Sequence, residues 1–559
     1  MGYKAPLKDI TAALKTEGLD RLAQLPAFEA ASGDVVEGIL IEAAKLAENV
    51  LDPLYRKGDL HPAKLVGGKV VVTPGWTEAW QALADGGWVG LAAAPDHGGT
   101  GMPEILGLAV GEIFHGANTA LSLCALLTQD AIYAVNLYGS AEQKAKFLPP
   151  MIAGKWTGTM NLTEPQAGSD LGALRTTATP HGKHYRIKGQ KIYISYGEHE
   201  MTENIVHLVL ARLPGAPASV KGISLFVVPK IIDGKLNDVR AASLEHKLGI
   251  HGSPTAVMIF GDKDGAVGEL VGEPHRGLEY MFAMMNHARL DVGLQGLALA
   301  SRATQQAVNF ARERVQGKPV GFTGESKAGI IHHPDVRRLL VSMKARVAAM
   351  RGLLYEVAAA RDWAHANGDA KALRKVELLT PVAKGWCTEV ANQVASDALQ
   401  VHGGMGYVEE TGIAQVFRDA RILPIYEGTT AIQANDLVGR KLLRDKGQAL
   451  EEYLSDIAAD SAEPALAASR ECLRHCAQWI VQAAARDPRL AFSASVSFLH
   501  QLGLVSGAHA LARQAKAGDA EAAALLQFFM THHLPQVAAL QITITQGSAQ
   551  VFALEEAEL

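Results

Sequence analysis

The sequence predicts an α+β protein of several domains, arranged as helical, β, helical and helical again along the chain. Apolar residues recur with helical spacing over about residues 5–155, and again from about residue 276 onward. Between them, about residues 156–275 hold short runs of β-branched and aromatic residues broken by Gly and Pro, which is typical of strands. A chain of 559 residues is also too long for one ordinary hydrophobic core, so we expect several packed units.

Residues 1–155 are predicted to form an N-terminal α-helical domain. The helical period is clearest in LIEAAKLAENVLDPLY and AVGEIFHGANTALSLCALLTQDAIYAVNLYG, and the glycine-rich PDHGGTGMP interrupts it. The opening residues, MGYKAPLKDI, carry charges and no apolar stretch, so no secretory signal is expected. Nowhere do 18 apolar residues run together, so we expect no membrane span and a cytoplasmic location.

Residues 156–275 are predicted to form a middle β domain, with strand-like runs such as NIVHLVLARL, GISLFVVPKII and TAVMIF. Within it, the segment YRIKGQKIYIS is expected to form a hairpin with its glycine in the turn. Residues 276–445 return to the helical period, and a Gly-rich break, VHGGMGYVEETG, precedes a last helix that begins near Thr430. Residues 446–559 are rich in alanine and are predicted to form an additional helical domain.

Composition favours a globular protein and gives no reason to expect nucleic-acid binding. The chain is 48% hydrophobic and 20% charged, with a formal net charge of -5, so it has no global attraction to polyanions. Four scattered cysteines suggest a reducing compartment rather than a disulfide framework. Cys472, His475 and Cys476 imitate a metal cluster, but no second set of ligands accompanies them. A buried structural role is therefore favoured, and no metal is predicted.

The first segment that could carry chemistry is MNLTEPQAGSD, residues 160–170, at the entrance to the β region. Hydroxyls and free backbone amides in such a loop suit a heteroaromatic ring or a phosphate. The alternative is a structural turn in which Ser169 or Asp170 caps a short helix. Taken alone, the segment does not decide between the two. A fingerprint for a nucleotide-binding Rossmann fold is not present elsewhere in the sequence.

The second such segment is RDARILPIYEGTT, residues 418–430, just before a predicted helix. Glu427 has apolar neighbours there, and a carboxylate that loses hydration has a raised pKa, which suits a general base. Gly428 would let a ligand approach the backbone closely. On its own, Glu427 could equally be an acidic residue favoured by the helix dipole in a first turn.

Together these two segments resemble the acyl-CoA dehydrogenase family, whose loop motif is close to MTEPxAGSD and whose base lies in a YEGT segment. The motifs occur in the family's order and roughly at its spacing. KIYIS, residues 191–195, is similar to the family's K-x-WIT flavin segment, and the likeness continues through Arg314 and residues 400–406. It covers about residues 50–445. The opening and the extra C-terminal helices resemble a long bacterial subgroup of the family.

The resemblance implies an N-terminal helical domain, a middle β-barrel-like domain, a C-terminal helical bundle that carries the base, and the additional helical domain. It also implies FAD bound between the β domain and the bundle. The implied cofactor contacts, some of them to the FAD of a partner chain, are Met160, Leu162, Thr163, Gly168, Ser169, Tyr193, Ser195, Arg314, Gln400, Gly403, Gly404 and Thr429. Two of these depart from the usual family residues, since Tyr193 replaces Trp and Ser195 replaces Thr.

The resemblance further implies that Glu427 removes the α-proton of an acyl-CoA while the β-hydrogen leaves as hydride to flavin N5, which gives the trans-2-enoyl-CoA. Some relatives carry the base on another helix, where this chain has Ala288, and this favours Glu427. The implied substrate contacts are Ser169, Asn286, Arg289 and Gly428. A helix-surface ion pair is an equal alternative for Asn286 and Arg289.

The expected partners are the acyl-CoA substrate, an electron-transfer flavoprotein as electron acceptor, and a second copy of the chain in a homodimer. Three rival functions remain open from sequence alone. The first is an acyl-CoA oxidase that uses O2, and the second is a DNA-associated homologue of the same fold. The acidic balance of residues 446–559, with 7 basic and 12 acidic residues, disfavours the second. The third is a homologue that keeps only the fold.

Overall fold

The computed structural model describes residues 2–324 and 328–559. The helices before the β region are α1 (Leu7–Thr16), α2 (Leu19–Leu22), α3 (Gly33–Leu46), α4 (Asp52–Leu60), α5 (Trp76–Asp85), α6 (Glu104–Tyr138) and α7 (Ala141–Ile152), with a small hairpin of β1 (Lys64–Val66) and β2 (Lys69–Val71). The β region holds β3 (Trp156–Asn161), β4 (Thr177–His181), β5 (His184–Ser195), β6 (Asn204–Arg212), β7 (Ile223–Pro229), β8 (Ile231–Ile232), β9 (Lys235–Leu236), β10 (Val239–Leu244), β11 (Thr255–Phe260) and β12 (Ala266–Val271).

Helices form the rest of the chain: α8 (Gly277–Glu313), α9 (Pro334–Asn367), α10 (Ala370–His402), α11 (Ile413–Ala420), α12 (Thr430–Val438), α13 (Gln448–Asp460), α14 (Pro464–Arg486), α15 (Pro488–Ser493), α16 (Ser495–Lys516), α17 (Ala520–His532) and α18 (Gln536–Ile542). The predicted order of helical, β and helical segments is therefore confirmed. We propose the domain boundaries as predicted from the sequence, at 1–155, 156–275, 276–445 and 446–559.

The middle strands close into a barrel. β5 pairs with β12, β12 with β7, and β7 with β6, all antiparallel. β4 pairs with both β5 and β6 and so completes the ring, while β11 and β10 extend from β5 and β3 extends from β6. The barrel encloses its own apolar core, which includes Ile187, Phe226 and Phe260. Closure leaves few free strand edges and makes a rigid support for the loops between the strands.

The expected hairpin within YRIKGQKIYIS is wrong, because these residues run through the single strand β5. The hairpin turn lies earlier, between His181 and His184, where β4 and β5 pair. Gly189 is needed in mid-strand for a different reason. A Cβ at that position would lie 2.3 Å from the Thr176 hydroxyl, so only glycine fits without a shift of its neighbour.

The long helix α6 consists of two arms joined at Asn118, whose φ of -156° and ψ of 85° are not helical. The Asn118 side chain accepts a hydrogen bond from the Leu121 amide, as an N-cap of the second arm, and donates one to the Leu51 carbonyl. Glu104 on the first arm and Tyr133 on the second both contact His287. A straight helix would separate these two residues by about 44 Å, so the arms fold back beside each other.

By length and composition α6 is apolar enough to cross a membrane, and 72% of its most apolar window is buried inside the protein. Buried core helices have the same properties, so the helix is weak evidence for a membrane span. The cytoplasmic location stays a prediction.

Candidate active site

Glu427 lies in the short segment between α11 and α12. Its φ is +52° and that of the following Gly428 is +87°, so two successive residues adopt the left-handed conformation. This conformation is open to glycine but costs a glutamate on the order of 1 kcal/mol. Thr429 then caps α12, where its hydroxyl accepts a hydrogen bond from the Ile432 amide at 3.3 Å. A strained turn of this kind persists only where its surroundings hold it.

Two side chains hold the turn by donating hydrogen bonds to its backbone carbonyls. Gln433 Nε2 on α12 donates to the carbonyls of Glu427 at 3.0 Å and Gly428 at 3.3 Å. Lys384 Nζ on α10 donates to the Gly428 carbonyl at 2.6 Å. Both side chains are fully buried. The backbone of the predicted base is therefore fixed by contacts from two helices, and neither Lys384 nor Gln433 was singled out from the sequence.

The carboxyl group of Glu427 is half-buried, and no described residue donates a hydrogen bond to it. Burial raises its pKa above the usual range, while the positive charges of Arg289 and Lys384 oppose that shift. Burial likewise lowers the pKa of Lys384 to about 7, against the opposing effect of Glu427. An unpaired carboxylate with a raised pKa has the properties that a general base needs near neutral pH.

Arg289 is buried rather than on a helix surface. Its Nη1 donates to Asp436 on α12 at 3.1 Å and to Asn286 Oδ1 at 2.9 Å, so it joins α8 to the helix that follows the base. The predicted ion pair thus exists, but between helices and out of solvent. Ala288, beside it, is fully buried and offers no carboxylate. Asn286 is exposed and accepts a hydrogen bond at its carbonyl from Arg361.

The loop of residues 160–170 is anchored by Glu164. Its carboxylate accepts hydrogen bonds from Lys191 Nζ at 2.8 Å, the Thr176 hydroxyl at 2.6 Å and the Arg175 amide at 2.6 Å. Burial alone would raise the pKa of Glu164, but Lys191 and these hydrogen bonds lower it. The pair is almost wholly out of solvent. The sequence TEP, residues 163–165, therefore builds a rigid corner, with the preceding Met160 buried and Leu162 half-buried.

This corner lies directly beside the predicted flavin segment of β5, because the Ile192 amide donates to the Thr163 carbonyl at 2.9 Å. Tyr193 sits in an irregular part of the β5–β11 pairing, with a φ of +61° and 61% of its surface exposed. Ser195 is half-buried opposite Thr255. Gly168 and Ser169 are exposed, and Asp170 caps a short helical turn by accepting from the Gly172 amide. The structural role expected for Ser169 or Asp170 thus falls to Asp170.

A third group lies on an exposed surface at the ends of α8 and α10. Arg314 follows α8, and Gln400, Gly403 and Gly404 lie at the end of α10; all are exposed. The Phe310 ring stacks on His402 with a centroid distance of 4.4 Å, which brings the two helix ends together. The structure therefore gathers the residues predicted to contact a partner's cofactor at one surface.

A cavity of about 160 Å³ lies between the two arms of α6, the segment of residues 88–94 and α8. Apolar side chains such as Leu108, Leu126 and Leu294 line most of it. At one side His287 faces Glu104 at 3.9 Å and Tyr133 stacks on its ring at 4.9 Å. A narrow, mostly apolar cavity of this kind suits an aliphatic group.

His287 contacts a buried carboxyl group on the second arm of α6. Its Nδ1 lies 2.8 Å from Asp130 Oδ1, and Asp291 is 3.4 Å away. Burial would lower the pKa of His287, but Asp130 and Asp291 raise it to about 10. Burial raises the pKa of Asp130, against the effect of His287, and Glu427 is near enough to raise it further. Sequence reasoning missed this pair, although an aspartate within the apolar second arm of α6 was a visible signal.

The residues predicted to bind FAD are compatible with a large planar ligand. A Cβ added at Gly168, Gly403 or Gly404 would meet no atom within 4 Å, so a ligand can approach the backbone at each. Tyr193 presents an exposed ring beside the anchored Thr163 corner. The backbone amides of the exposed Gly168–Asp170 turn and the Ser169 hydroxyl are free to face phosphate or ring oxygens.

Models of four acyl-CoA dehydrogenase domains match this chain. They are the N-terminal domain at residues 43–155, the middle domain at 159–262, the C-terminal domain at 275–442, and the acetyl-CoA dehydrogenase C-terminal-like domain at 446–555. The matches follow one another in the order that the fold displays. The additional helical domain is thus a feature of known family members.

The chain is 45% identical to the 3-methylmercaptopropionyl-CoA dehydrogenase of Ruegeria pomeroyi over 93% of both chains. It is 33% identical to a butyryl-CoA dehydrogenase of Syntrophomonas wolfei, over 83% of this chain and 80% of that one. An acyl-CoA dehydrogenase complexed with FAD from Bacillus anthracis shares the fold, with a TM-score of 0.75 and 20% identity over 94% of this chain and 90% of that one. The predicted similarity to the long bacterial 3-methylmercaptopropionyl-CoA dehydrogenases is confirmed. The chain therefore belongs to the acyl-CoA dehydrogenase family of FAD-dependent oxidoreductases.

Proposed function

We propose that this enzyme oxidises a short acyl-CoA thioester to the trans-2-enoyl-CoA, with Glu427 as the base that takes the α-proton. The observation that carries the proposal is the carboxyl group of Glu427 itself. It is half-buried, accepts no hydrogen bond from a described residue, and sits on a strained turn that Lys384 and Gln433 hold. Such a turn is maintained at a cost in stability, which is typical of a functional site.

The cavity beside His287 is the proposed site of the acyl group. His287 in its wall lies on α8 two residues before Arg289, which joins α8 to the helix that follows the base. We therefore expect a thioester near Glu427 to direct its acyl group between the arms of α6. The cavity of about 160 Å³ favours a short chain. Two similar enzymes, a 3-methylmercaptopropionyl-CoA dehydrogenase and a butyryl-CoA dehydrogenase, are named for short acyl groups that agree with this size.

The protein's own groups prepare the proton transfer. Burial raises the pKa of Glu427 and so makes it a stronger base, while Arg289 and Lys384 keep enough of it ionised. We expect the fixed turn to hold the carboxylate in one orientation toward the α-carbon. FAD, when bound, supplies the acceptor for the hydride that leaves the β-carbon.

We propose that FAD binds through the residues predicted above, with the Thr163 corner and the Tyr193–Ser195 stretch at the ring. Asn286, Arg289, Gly428 and Ser169 are the proposed substrate contacts, Arg289 acting through its hold on α12 as much as directly. We further propose an electron-transfer flavoprotein as the acceptor of electrons and a homodimer in which Arg314, Gln400, Gly403 and Gly404 reach the partner's cofactor.

Anaerobic flavin bleaching by short acyl-CoA thioesters tests the proposal. We expect rapid bleaching in the purified holoenzyme and a loss of about 10²- to 10⁴-fold in its rate in Glu427→Gln. Glu410→Gln is the matched control, because Glu410 is an exposed carboxylate on the loop before α11. Undiminished bleaching in Glu427→Gln would refute the assignment of the base. Peroxide release under air, set against reduction of an electron-transfer flavoprotein, separates a dehydrogenase from an oxidase.

A further inference from the structure

Two polar side chains line the cavity close to the joint of α6. His115 precedes Asn118 by three residues on the first arm, and Ser122 follows it by four on the second. Away from the joint, Glu104 on the first arm and Tyr133 on the second both contact His287. His115 and Ser122 therefore lie at the end of the cavity next to the joint, and His287 lies at the other end.

Neither side chain has a hydrogen-bond partner among the described residues. Nδ1 of His115 and Oγ of Ser122 are buried and unpaired, and both residues are almost fully out of solvent. The charged groups at the wall, in contrast, each have an ionic partner. Glu104 pairs with Arg361 at 3.1 Å, and His287 with Asp130 at 2.8 Å. Buried polar atoms are nearly always paired, so two unpaired atoms at one end of a cavity call for a ligand atom.

The charge state of this end selects the kind of ligand atom. Burial lowers the pKa of His115 to about 4, against a weak opposing effect of Asp291, so the ring is neutral at physiological pH. Ser122 is neutral as well. A neutral imidazole and a hydroxyl do not compensate a carboxylate or an ammonium that has lost its water. They do match a neutral heteroatom with lone pairs.

We propose that His115 and Ser122 form a polar subsite for a neutral heteroatom, a thioether, ether or hydroxyl, within the acyl chain of the substrate. The inference rests on the proposed function, since it assumes that the acyl group enters this cavity. An all-carbon chain of the same length would fill the end next to the joint but leave both polar atoms unpaired. A chain that carries a heteroatom there gives the Ser122 hydroxyl an acceptor. The subsite therefore sets selectivity between acyl chains of equal length.

Binding of matched thioesters tests the subsite without turnover. Isothermal titration of FAD-loaded Glu427→Gln would use three ligands: 3-methylmercaptopropionyl-CoA, 3-methoxypropionyl-CoA and pentanoyl-CoA, which differ only at one chain position. The measured quantity is the dissociation constant of pentanoyl-CoA divided by that of each heteroatom ligand. The parent protein is FAD-loaded Glu427→Gln, and the double variant carries Ser122→Ala and His115→Leu in addition. We expect the ratio to be about tenfold higher in the parent than in the double variant, in line with one lost hydrogen bond.

Two further variants distinguish loss of the subsite from a general disturbance of the fold. Ser122→Ala alone removes only one hydroxyl and should retain the fold while lowering the ratio. Cys124→Ala is the matched control, because Cys124 is buried on the same arm but does not line the cavity. Its ratio should equal that of the parent.

The outcomes separate this inference from the proposed function. A raised parent ratio for the thioether, the ether or both supports the subsite and identifies the heteroatom. Equal ratios in the parent, Ser122→Ala and the double variant overturn it, even if the wild-type flavin is bleached normally. Undiminished flavin bleaching in Glu427→Gln would instead refute Glu427 as the base. The binding ratios would still test the subsite, because they are measured without turnover.

Discussion

At the scale of single residues, the ionisation of Glu427 predicts how the reaction depends on pH. The carboxylate form is the base, so the rate must fall as the pH drops through its pKa. Burial raises that pKa, which places the fall above the ordinary range of glutamate, near 4.3. We therefore expect an acid limb in kcat/KM that begins in the mildly acidic region. Stopped-flow flavin reduction across pH 4.5–8 would show it, and a flat profile over that range would contradict the raised pKa.

Lys384 gives a second prediction for the same group. Its ammonium lowers the pKa of Glu427 and also holds the Gly428 carbonyl at 2.6 Å. Lys384→Met removes both effects, so we expect the acid limb to move to higher pH by on the order of one unit, with a lower limiting rate. Lys384→Arg keeps a positive charge, so its acid limb should lie closer in pH to that of the wild type.

The control for this substitution is Lys371→Met. Lys371 lies on the same helix, where its exposed ammonium pairs with Asp456 far from the turn. It should leave the pH profile unchanged. If Lys384→Met lowers the rate at every pH equally, without displacing the acid limb, Lys384 acts only on the backbone and not on the charge of the base.

The sequence predicted the base and the flavin loop of the site, but not the side chains that support the base or line the cavity. Glu427 and the Thr163 loop stand in continuous motifs, so they were identified from their neighbours. Lys384 acts on a residue 44 positions away, and His287 pairs with Asp130 across 157 positions. Such pairs depend on how helices pack, which local periodicity does not encode. A lone lysine in the apolar run VAKGW was the only hint of the first.

At the scale of elements, the type of each long segment was predictable and its interruptions were not. The strand β5 was predicted as a hairpin because glycine usually marks a turn. Gly189 is instead required because Thr176 lies too close for a side chain at that position. The joint of α6 escaped notice for the opposite reason. In the sequence, Asn118 lies within an unbroken helical pattern. In the structure, its non-helical backbone and its hydrogen bond to the Leu121 amide begin the second arm, and this fold-back shapes the cavity.

The corner formed by residues 160–170 depends on one buried ion pair, and this gives a third prediction. Lys191→Met would leave the carboxylate of Glu164 buried without its cation. The loss of one partner from a buried pair costs about 3–5 kcal/mol, so we expect a lower free energy of unfolding and faster loss of FAD. Urea unfolding and flavin release measure the two effects.

Lys188→Met is the matched control for this pair, since Lys188 is an exposed lysine three positions earlier on β5. It should change neither quantity. If Lys191→Met unfolds at the same urea concentration as the wild type, the pair does not anchor the loop.

At the scale of the whole molecule, a buried cluster joins the additional helical domain to the rest of the chain. Arg513 on α16 donates to Glu17 at the end of α1 and to Glu356 on α9, at 2.6 and 3.1 Å. Arg513→Met would leave the buried carboxylate of Glu17 without a cation, while Glu356 keeps Lys375 at 3.2 Å, so we expect a cost of about 3 kcal/mol. We expect a lower Tm and faster proteolysis between residues 446 and 559. Arg489→Met, at an exposed pair with Asp487, should have no such effect.

The assembly of the molecule gives the last prediction. Beyond Gln400, Gly403 and Gly404 the chain exposes Met405, Tyr407 and Val408, the second with 95% of its surface free, and neighbouring exposed apolar groups mark an interaction surface. A second copy packed here would cover these side chains and bring the α10 end to its neighbour's cofactor. Tyr407→Asp should therefore shift the mass measured by light scattering from dimer toward monomer and weaken FAD retention together. Leu236→Asp, at an exposed leucine on β9 in the β region, should do neither. A monomer that keeps its FAD as tightly as the wild type would show that this surface serves assembly alone, and an unchanged dimer would show that it serves neither.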